Sequence, residues 1–274
     1  MKFSKAHAYG NDFLYVSAAD AAGRHVDALA RELCDRHTGI GADGLILYEP
    51  AEDGVGTETA PSALRPHAMR LFNADGSRSE VSGNGVRGLA ALLLRDKAPT
   101  VVDITIQTDA GVKRLARTAV EGSRQMFRAA MGWPVDLRRT SLVAIGEKLH
   151  VVVMTFGNPQ AVVLGPLPDD ERFQRLGPAI ERHEMFPART NVEFAQIESP
   201  QCVRILIWER GVGPTLSSGT GSCASLIAAA AFGGADRSAD VIAPGGTQRV
   251  EWERDNVYLT GWAEVLFDGD WQRR

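Results

Sequence analysis

One phrase is written twice in this chain. Residues 82–91 read S-G-N-G-V-R-G-L-A-A, and residues 218–228 read S-G-T-G-S-C-A-S-L-I-A. Each joins a serine to two glycines spaced by one residue, then runs into an apolar, Ala/Leu-rich stretch. The copies lie about half the chain length apart. A second pair, Gly10-Asn11-Asp12-Phe13 and Gly157-Asn158-Pro159-Gln160, repeats at a similar separation. Two repeats in register point to duplication. The expected architecture is therefore two similar halves, each opening a helix at its serine. Helix N-termini bind anions, so two of them facing one cleft would form a site for a small anion. We place the first half at residues 1–118 plus 264–274 and the second at 119–263.

The periodicity supports an α+β fold. Helical spacing covers Val26 to His37, Gly85 to Asp96, Asp170 to Arg182 and Thr220 to Phe232. Strands are expected at Phe3 to Val16 (broken at Gly10-Asn11-Asp12), Leu45 to Tyr48, Met69 to Phe72, Asp103 to Thr108, Lys113 to Ala119 and Gln125 to Met131. In the second half they fall at His150 to Phe156, Ala161 to Leu164, Asn191 to Gln196 and Cys202 to Trp208. The tail from Asp240 to Phe267 is again β-rich, and residues 50–66 read as a loop. Strands outnumber helices and do not alternate with them, so each half should wrap mostly antiparallel strands around one apolar helix.

Several function classes drop away. The net charge of −4 and the scattered Arg138-Arg139 and Arg273-Arg274 pairs give nucleic acid nothing to bind. Cys34, Cys202 and Cys223 are odd in number and widely spaced, with no C-x-x-C pair, which fits a reducing cytoplasm. No apolar run approaches the ~20 residues of a membrane span. The N-terminal segment lacks the apolar core of a signal peptide. Gly83-x-Gly85-x-x-Gly88 and Gly39-x-Gly41-x-x-Gly44 match the dinucleotide fingerprint only formally, because no buried strand leads into Gly83. No metal-ligand spacing occurs among the six histidines.

The glycines read better as close-approach positions. A backbone without Cβ lets a ligand reach the unpaired N–H groups of a helix's first turn. Ser82 and Ser218 would also serve as plain N-caps. Glu209-Arg210, just before the second serine turn, can pair with an ammonium and a carboxylate, or simply form a surface ion pair. Asn11, Asn73, Asn158 and Asn191 each end a turn, where they either form Asx turns or line a polar pocket.

With G-N-D-F at 10, R-H-T-G-I-G-A-D-G at 36, F-N-A-D-G-S at 72, S-G-N-G-V-R at 82, G-N-P at 157, N-V-E-F at 191, E-R-G-V-G at 209 and S-G-T-G at 218, the chain resembles the diaminopimelate epimerase family nearly end to end. The resemblance implies two pseudo-symmetric domains, each a strongly curved sheet around a central helix, with the C-terminal strand returning to the first. It implies a cytoplasmic homodimer in lysine and cell-wall precursor synthesis, acting on a small amino acid without pyridoxal phosphate or metal. In the family two cysteines flank the substrate α-carbon, one removing a proton and the other returning one. Carried over, Ser82 and Ser218 hold the catalytic positions. Gly83, Asn84, Gly219 and Thr220 would hold the α-carboxylate, and Asn11, Asn73, Asn158, Asn191, Glu209 and Arg210 the other polar ends.

The chain departs from that pattern at the centre of its chemistry. Both cysteine positions are serine, the histidine of G-N-P-H is Gln160, and the acidic residue after G-x-G is Pro214. A thiol ionises near pH 8.5, and a helix N-terminus brings it to roughly 3.5–7.5. An alcohol ionises near ~15.7, like water. The gap of about 7 units is roughly 10 kcal/mol, whereas a helix dipole supplies at most ~2 kcal/mol. An unaided serine is therefore a poor base. Three functions remain in view: an amino-acid epimerase in which another group takes the proton; a related isomerase, like the phenazine-biosynthesis branch, using Glu80, Asp12, Asp43 or Glu209; or a module that binds an amino acid without turnover.

Overall fold

The computed structural model describes residues 1–51, 66–98 and 103–272. Most of the loop read at 50–66, and the Arg273-Arg274 pair, lie outside those residues. The chain divides into two compact units, Met1–Ala129 with Trp262–Arg274, and Ala130–Gly261.

The first unit contains β1 (Lys2–Ala8), β2 (Asn11–Ser17), α1 (Val26–Cys34), β3 (Gly44–Glu49), β4 (His67–Asn73), β5 (Arg78–Ser79), α2 (Gly83–Leu94), β6 (Asp103–Thr108), β7 (Gly111–Glu121) and most of β8 (Arg124–Gly132). Neighbouring strands pair antiparallel except β2 with β3 and β4 with β6. Helix α2 touches β1, β2, β6 and β7, so strands surround it. Val86, Leu89, Ala90, Ala91 and Leu94 are buried there, as the helical period requires. Helix α1 packs outside, through Leu29, Ala30, Leu33 and Cys34, against Leu14, Leu45 and Leu47.

The second unit contains β9 (Val135–Ala144), β10 (Glu147–Phe156), β11 (Asn158–Leu164), α3 (Asp170–Glu181), β12 (Asn191–Ser199), β13 (Cys202–Glu209), β14 (Gly213–Thr215), α4 (Gly219–Phe232), β15 (Ser238–Ala243) and β16 (Gly246–Trp252). Its central helix α4 carries Cys223, Ala224, Leu226, Ile227 and Ala228 into a core built from β10, β13, β15 and β16. Helix α3, capped by Asp169 (which accepts Arg172 N–H at 2.8 Å), covers the other face through Phe173, Leu176 and Ile180. The last strand, β17 (Val257–Asp270), pairs with β16 at its start, and its second half pairs with β1 from Lys2↔Asp270 to His7↔Glu264. The C-terminal strand thus does return to the first unit.

The duplication extends to strand register. In the first unit β2 and β3 are parallel, with Phe13↔Gly44 and Tyr15↔Ile46. In the second β11 and β12 are parallel, with Gln160↔Asn191 and Val162↔Glu193. Aligning Asn11 with Asn158 therefore puts Ile46 and Glu193 in equivalent places. The fold is α+β, with two such halves.

Two of the differences from the sequence reading have a plain cause. The central helices begin at Gly83 and Gly219, earlier than the apolar period suggested, because the serines take the N-cap and glycine fills the first turn. Strand β9 was not expected. Most of its residues, Arg138 and Arg139 included, are at least partly exposed, so it shows no apolar alternation.

Candidate active site

In the first unit, Ser82 has extended backbone (φ −125°, ψ 124°), and its Oγ accepts the Gly85 N–H at 3.1 Å. The Val86 N–H returns to the Ser82 carbonyl at 2.9 Å. The Gly83 and Asn84 N–H groups belong to the first turn, which has no intrahelical acceptors. Asn84 is buried, and its Nδ2 donates to Asn11 Oδ1 at 3.1 Å. Asn11 Nδ2 in turn donates to Asp43 Oδ2 at 2.8 Å. Behind them the Arg87 guanidinium, 1% exposed, donates through Nη2 to Asn84 Oδ1 and lies over the Tyr9 ring at 5.7 Å. Because Arg87 can only donate, it fixes Asn84 with its oxygen inward and its Nδ2 toward Asn11.

Asn73 stands apart from this chain of amides. Its Nδ2 donates to Ser77 Oγ at 2.9 Å, closing the Asn73–Ser77 turn. Asp43 links the two places, since its carbonyl accepts the Ala74 N–H at 3.1 Å. Asp12 and Asp43, both candidates for a carboxylate base, are engaged by cations. Arg36 reaches Asp12 at 2.7 Å and Asp43 at 2.8 Å, and Lys5 reaches Asp12 at 2.8 Å. Partial burial pushes the Asp12 carboxyl up, but hydrogen bonds from Arg36 and Lys5 outweigh it and hold the group below its usual range.

In the second unit, Ser218 repeats the arrangement (φ −137°, ψ 127°), with Oγ accepting Gly221 N–H at 3.2 Å and lying 3.4 Å from Thr220 Oγ1. The Gly157-Asn158 turn abuts Thr220, since a side chain at Gly157 would begin 3.9 Å from Thr220 Cγ2. In each half, then, a Gly-Asn turn lies at the N-terminus of the central helix, through Asn11 on Asn84 in the first and through Gly157 near Thr220 in the second. Asn191 Oδ1 accepts the Arg210 N–H at 2.8 Å. The next residue, Gly211, has φ 77° and donates its N–H to Glu181 Oε1 at 2.9 Å. Glu181 also accepts from Trp208 Nε1 at 2.9 Å. Burial raises the Glu181 carboxyl, but these donors and Arg182 and Arg189 bring it below the ordinary value. The Glu209-Arg210 turn is therefore clamped from α3 and β12. Arg210 itself is exposed and donates to the Ala188 carbonyl at 3.2 Å.

Residue-by-residue reading missed two groups. One is Arg87, submerged in an apolar helix. The other is Glu193, 0% exposed in β12 between Val192 and Phe194. Burial, and then repulsion from Glu209, push its carboxyl well above the usual carboxylate range. With its carbonyl oxygen toward Asn191 Nδ2 (3.2 Å), the Gln160 amide faces Glu193 Oε1 at 2.9 Å and Oε2 at 3.2 Å. An acid inside an otherwise apolar strand was the available signal. Cys223 is fully buried in the α4 core, and burial pushes the Cys34 thiol up to about 12, so neither is a poised nucleophile.

Sequence and fold comparisons place the chain among known proteins. The family described as diaminopimelate epimerase matches residues 3–135 and 152–266. A diaminopimelate epimerase from Desulforudis audaxviator is 39% identical over 289 residues, covering 100% of both chains. One from Methanococcus maripaludis is 35% identical over 286 residues, covering 98% of this chain and 99% of its own. Among solved structures, a hydroxyproline epimerase from Agrobacterium vitis, with bound trans-4-hydroxy-L-proline, superposes with TM-score 0.68 at 17% identity. That match spans 98% of this chain and 91% of the other, which is a likeness of fold. Serine-capped twin helices, paired asparagine turns and full-length similarity converge: this chain belongs to the diaminopimelate epimerase family, whose members are cofactor-independent isomerases.

Proposed function

We propose that the protein epimerises diaminopimelate at one α-carbon, interconverting the LL and meso forms, in the lysine-biosynthetic sequence. The observation that carries this reading is the pair of equivalent capped turns, Ser82-Gly83-Asn84 and Ser218-Gly219-Thr220, in a chain matching diaminopimelate epimerases end to end. In this reading both turns serve one substrate. The first-turn N–H groups of Gly83, Asn84, Gly219 and Thr220 bind its α-carboxylate, as helix N-termini bind anions. Negative charge that develops when the α-proton leaves is spread onto that carboxylate and held by the same donors. In this reading Ser82 and Ser218 take the two proton-transfer roles at the α-carbon. Asn11, Asn158, Asn191, Glu209 and Arg210 hold the remaining polar ends, with Asn73 at the periphery.

A cytoplasmic homodimer completes the proposal. Val120, Leu266 and Phe267 are each close to half exposed and border one depression of the first unit beside Arg95, Lys97 and Asp268, a mixed apolar and charged surface that a second copy would cover in this reading. All three cysteines are free, in keeping with a reducing compartment.

The test is solvent deuterium incorporation at the α-carbon of LL- and meso-diaminopimelate, read by mass spectrometry beside calorimetric binding. Binding with exchange is expected. Ser82→Cys plus Ser218→Cys should exchange faster, because a thiolate is within reach at neutral pH and an alkoxide is not. Binding without exchange, with exchange appearing only in the cysteine variant, would show a non-catalytic binder. Absence of both in the native chain would refute the proposal.

A further inference from the structure

The two serine turns have the same cap but different backing. A methyl at Gly85, in α2, would stand 2.8 Å from Ile46 Cδ1 and 3.4 Å from Ser82 Cβ. A methyl at the equivalent Gly221, in α4, would stand 2.7 Å from Glu193 Oε1 and 3.2 Å from Ser218 Cβ. Ile46 and Glu193 occupy the same register position of their halves. The space behind the first serine is thus filled by a hydrocarbon, and the space behind the second by a carboxyl group.

We propose that Glu193 is a proton relay for the second half, exchanging a proton with the substrate α-carbon through the Ser218 hydroxyl. This rests on the epimerase reading above and gives the serine the partner it needs. In the protonating direction, the Ser218 Oγ–H bond breaks as the Cα–H bond forms, a bridging water gives one proton to Ser218 Oγ, and Glu193 Oε–H returns one to that water. In the reverse direction the α-proton passes to Ser218 Oγ, the hydroxyl proton passes to the water, and the water gives a proton to the Glu193 carboxylate. No free alkoxide forms, so the roughly 10 kcal/mol penalty of ionising an alcohol is bypassed.

Three features fit Glu193 to this part. Oε1 and Ser218 Cβ lie 2.7 and 3.2 Å from one point, hence no more than about 5.9 Å apart, a span that one bridging water between carboxyl and hydroxyl would close. Burial and the neighbouring Glu209 favour the protonated carboxyl, ready to donate. The anion left after donation sits at the N-terminal turn of α4 with the Gln160 amide beside it, both of which favour negative charge. The atoms nearest the equivalent Gly85 position are those of Ile46 and Ser82 itself, with no carboxyl among them, so proton traffic should be lopsided. Solvent exchange on the Ser218 face, with return to the same face, should outrun inversion.

The test compares the native protein with Glu193→Gln, which keeps shape and removes the proton. Deuterium entry and inversion of LL- and meso-diaminopimelate are measured separately, alongside calorimetric binding. Glu193→Gln should lose about 100-fold or more in exchange, the scale of one general acid–base group, with binding changed less than about threefold. Infrared difference spectra of the native protein minus Glu193→Gln should show a protonated-carboxyl band at neutral pH. That readout does not depend on turnover, and a purely structural glutamate would not tie it to the loss of exchange. A second variant, Ser218→Ala, should lose exchange while the infrared band persists. Exchange in Glu193→Gln equal to native, or no protonated band, would overturn the relay and leave the epimerase reading standing. A native protein that neither binds nor exchanges diaminopimelate would overturn both.

Discussion

Gly88→Ala offers the sharpest check on the packing beneath the first serine turn. On helix propensity alone it should stabilise the protein, because alanine exceeds glycine by about 0.8–1.0 kcal/mol in a helix interior. The structure predicts the opposite sign. A methyl at Gly88 would lie 2.0 Å from Tyr15 Oη and 2.9 Å from its Cζ. Tyr15 is 1% exposed and its hydroxyl donates to the Gly85 carbonyl at 2.9 Å, so the ring has nowhere to retreat. Overpacking of this kind costs about 1–3 kcal/mol, and displacing the hydroxyl leaves a desolvated donor worth about 1–3 kcal/mol more. Set against the propensity gain, the net loss should be about 1–5 kcal/mol, read as a lower urea midpoint at unchanged slope. Tyr15→Phe alone should lose about 1 kcal/mol. Combined with Gly88→Ala it should cost less than the sum of the two, because the closest clash is with the hydroxyl oxygen. If Gly88→Ala matches or exceeds native stability, the close contact between α2 and β2 is not what requires glycine there.

Further outcomes follow from the charged groups. Glu193→Gln should be more stable than native above the unfolded carboxyl pKa of about 4.3, and the gap should widen with pH by up to about 1.4 kcal/mol per unit. The sign follows because the folded pKa is raised: the native carboxyl contributes nothing adverse below the unfolded value, and stability falls as pH climbs toward the folded one. Parallel melts at pH 4 and 8 check this, and equal gaps would contradict it. Asp12→Asn should lose about 1–2 kcal/mol at neutral pH, a figure discounted because Arg36 is 54% exposed. Its native counterpart should show that contribution above the unfolded carboxyl pKa and lose it as acid titration passes the lowered folded one; an Asp12→Asn difference that persists unchanged in acid would argue against the ion cluster. Arg87→Met should remove the donor to Asn84 Oδ1, loosen that amide, and weaken diaminopimelate binding about 10-fold or more, measured by calorimetry. Unchanged affinity would mean the amide chain does not orient the turn.

Much of the fold was legible because duplication is a property of the string itself. Ser82 and Ser218 were readable as caps, and Val86, Leu89 and Leu226 as core, from spacing alone. The turns at Gly10-Asn11 and Gly157-Asn158, each against its central helix, follow the repeat into three dimensions. What escaped depends on facts that periodicity does not carry. Glu193 alternates correctly for an inward-facing residue, but its charge made it look like surface. Arg87 is buried in a helix of mostly apolar residues, and its Asn84 amide and Tyr9 ring contacts are tertiary facts that spacing does not carry. Strand β9 bears arginines on a sheet with little to bury, so its pattern resembles a loop. Asn73 shares its turn type with Asn11, yet its amide is spent on Ser77, and no spacing rule separates the two.

The closing strand imposes an order on biogenesis. β1 is among the first segments to leave the ribosome, but its partner along one side is Glu264–Asp270, which emerges roughly two hundred and fifty residues later. Until then the β1 edge is an unpaired template of the kind that recruits foreign strands. The first unit therefore cannot mature co-translationally as domains usually do. A nascent chain stalled before Trp262 should remain a chaperone client, however complete its second unit has become.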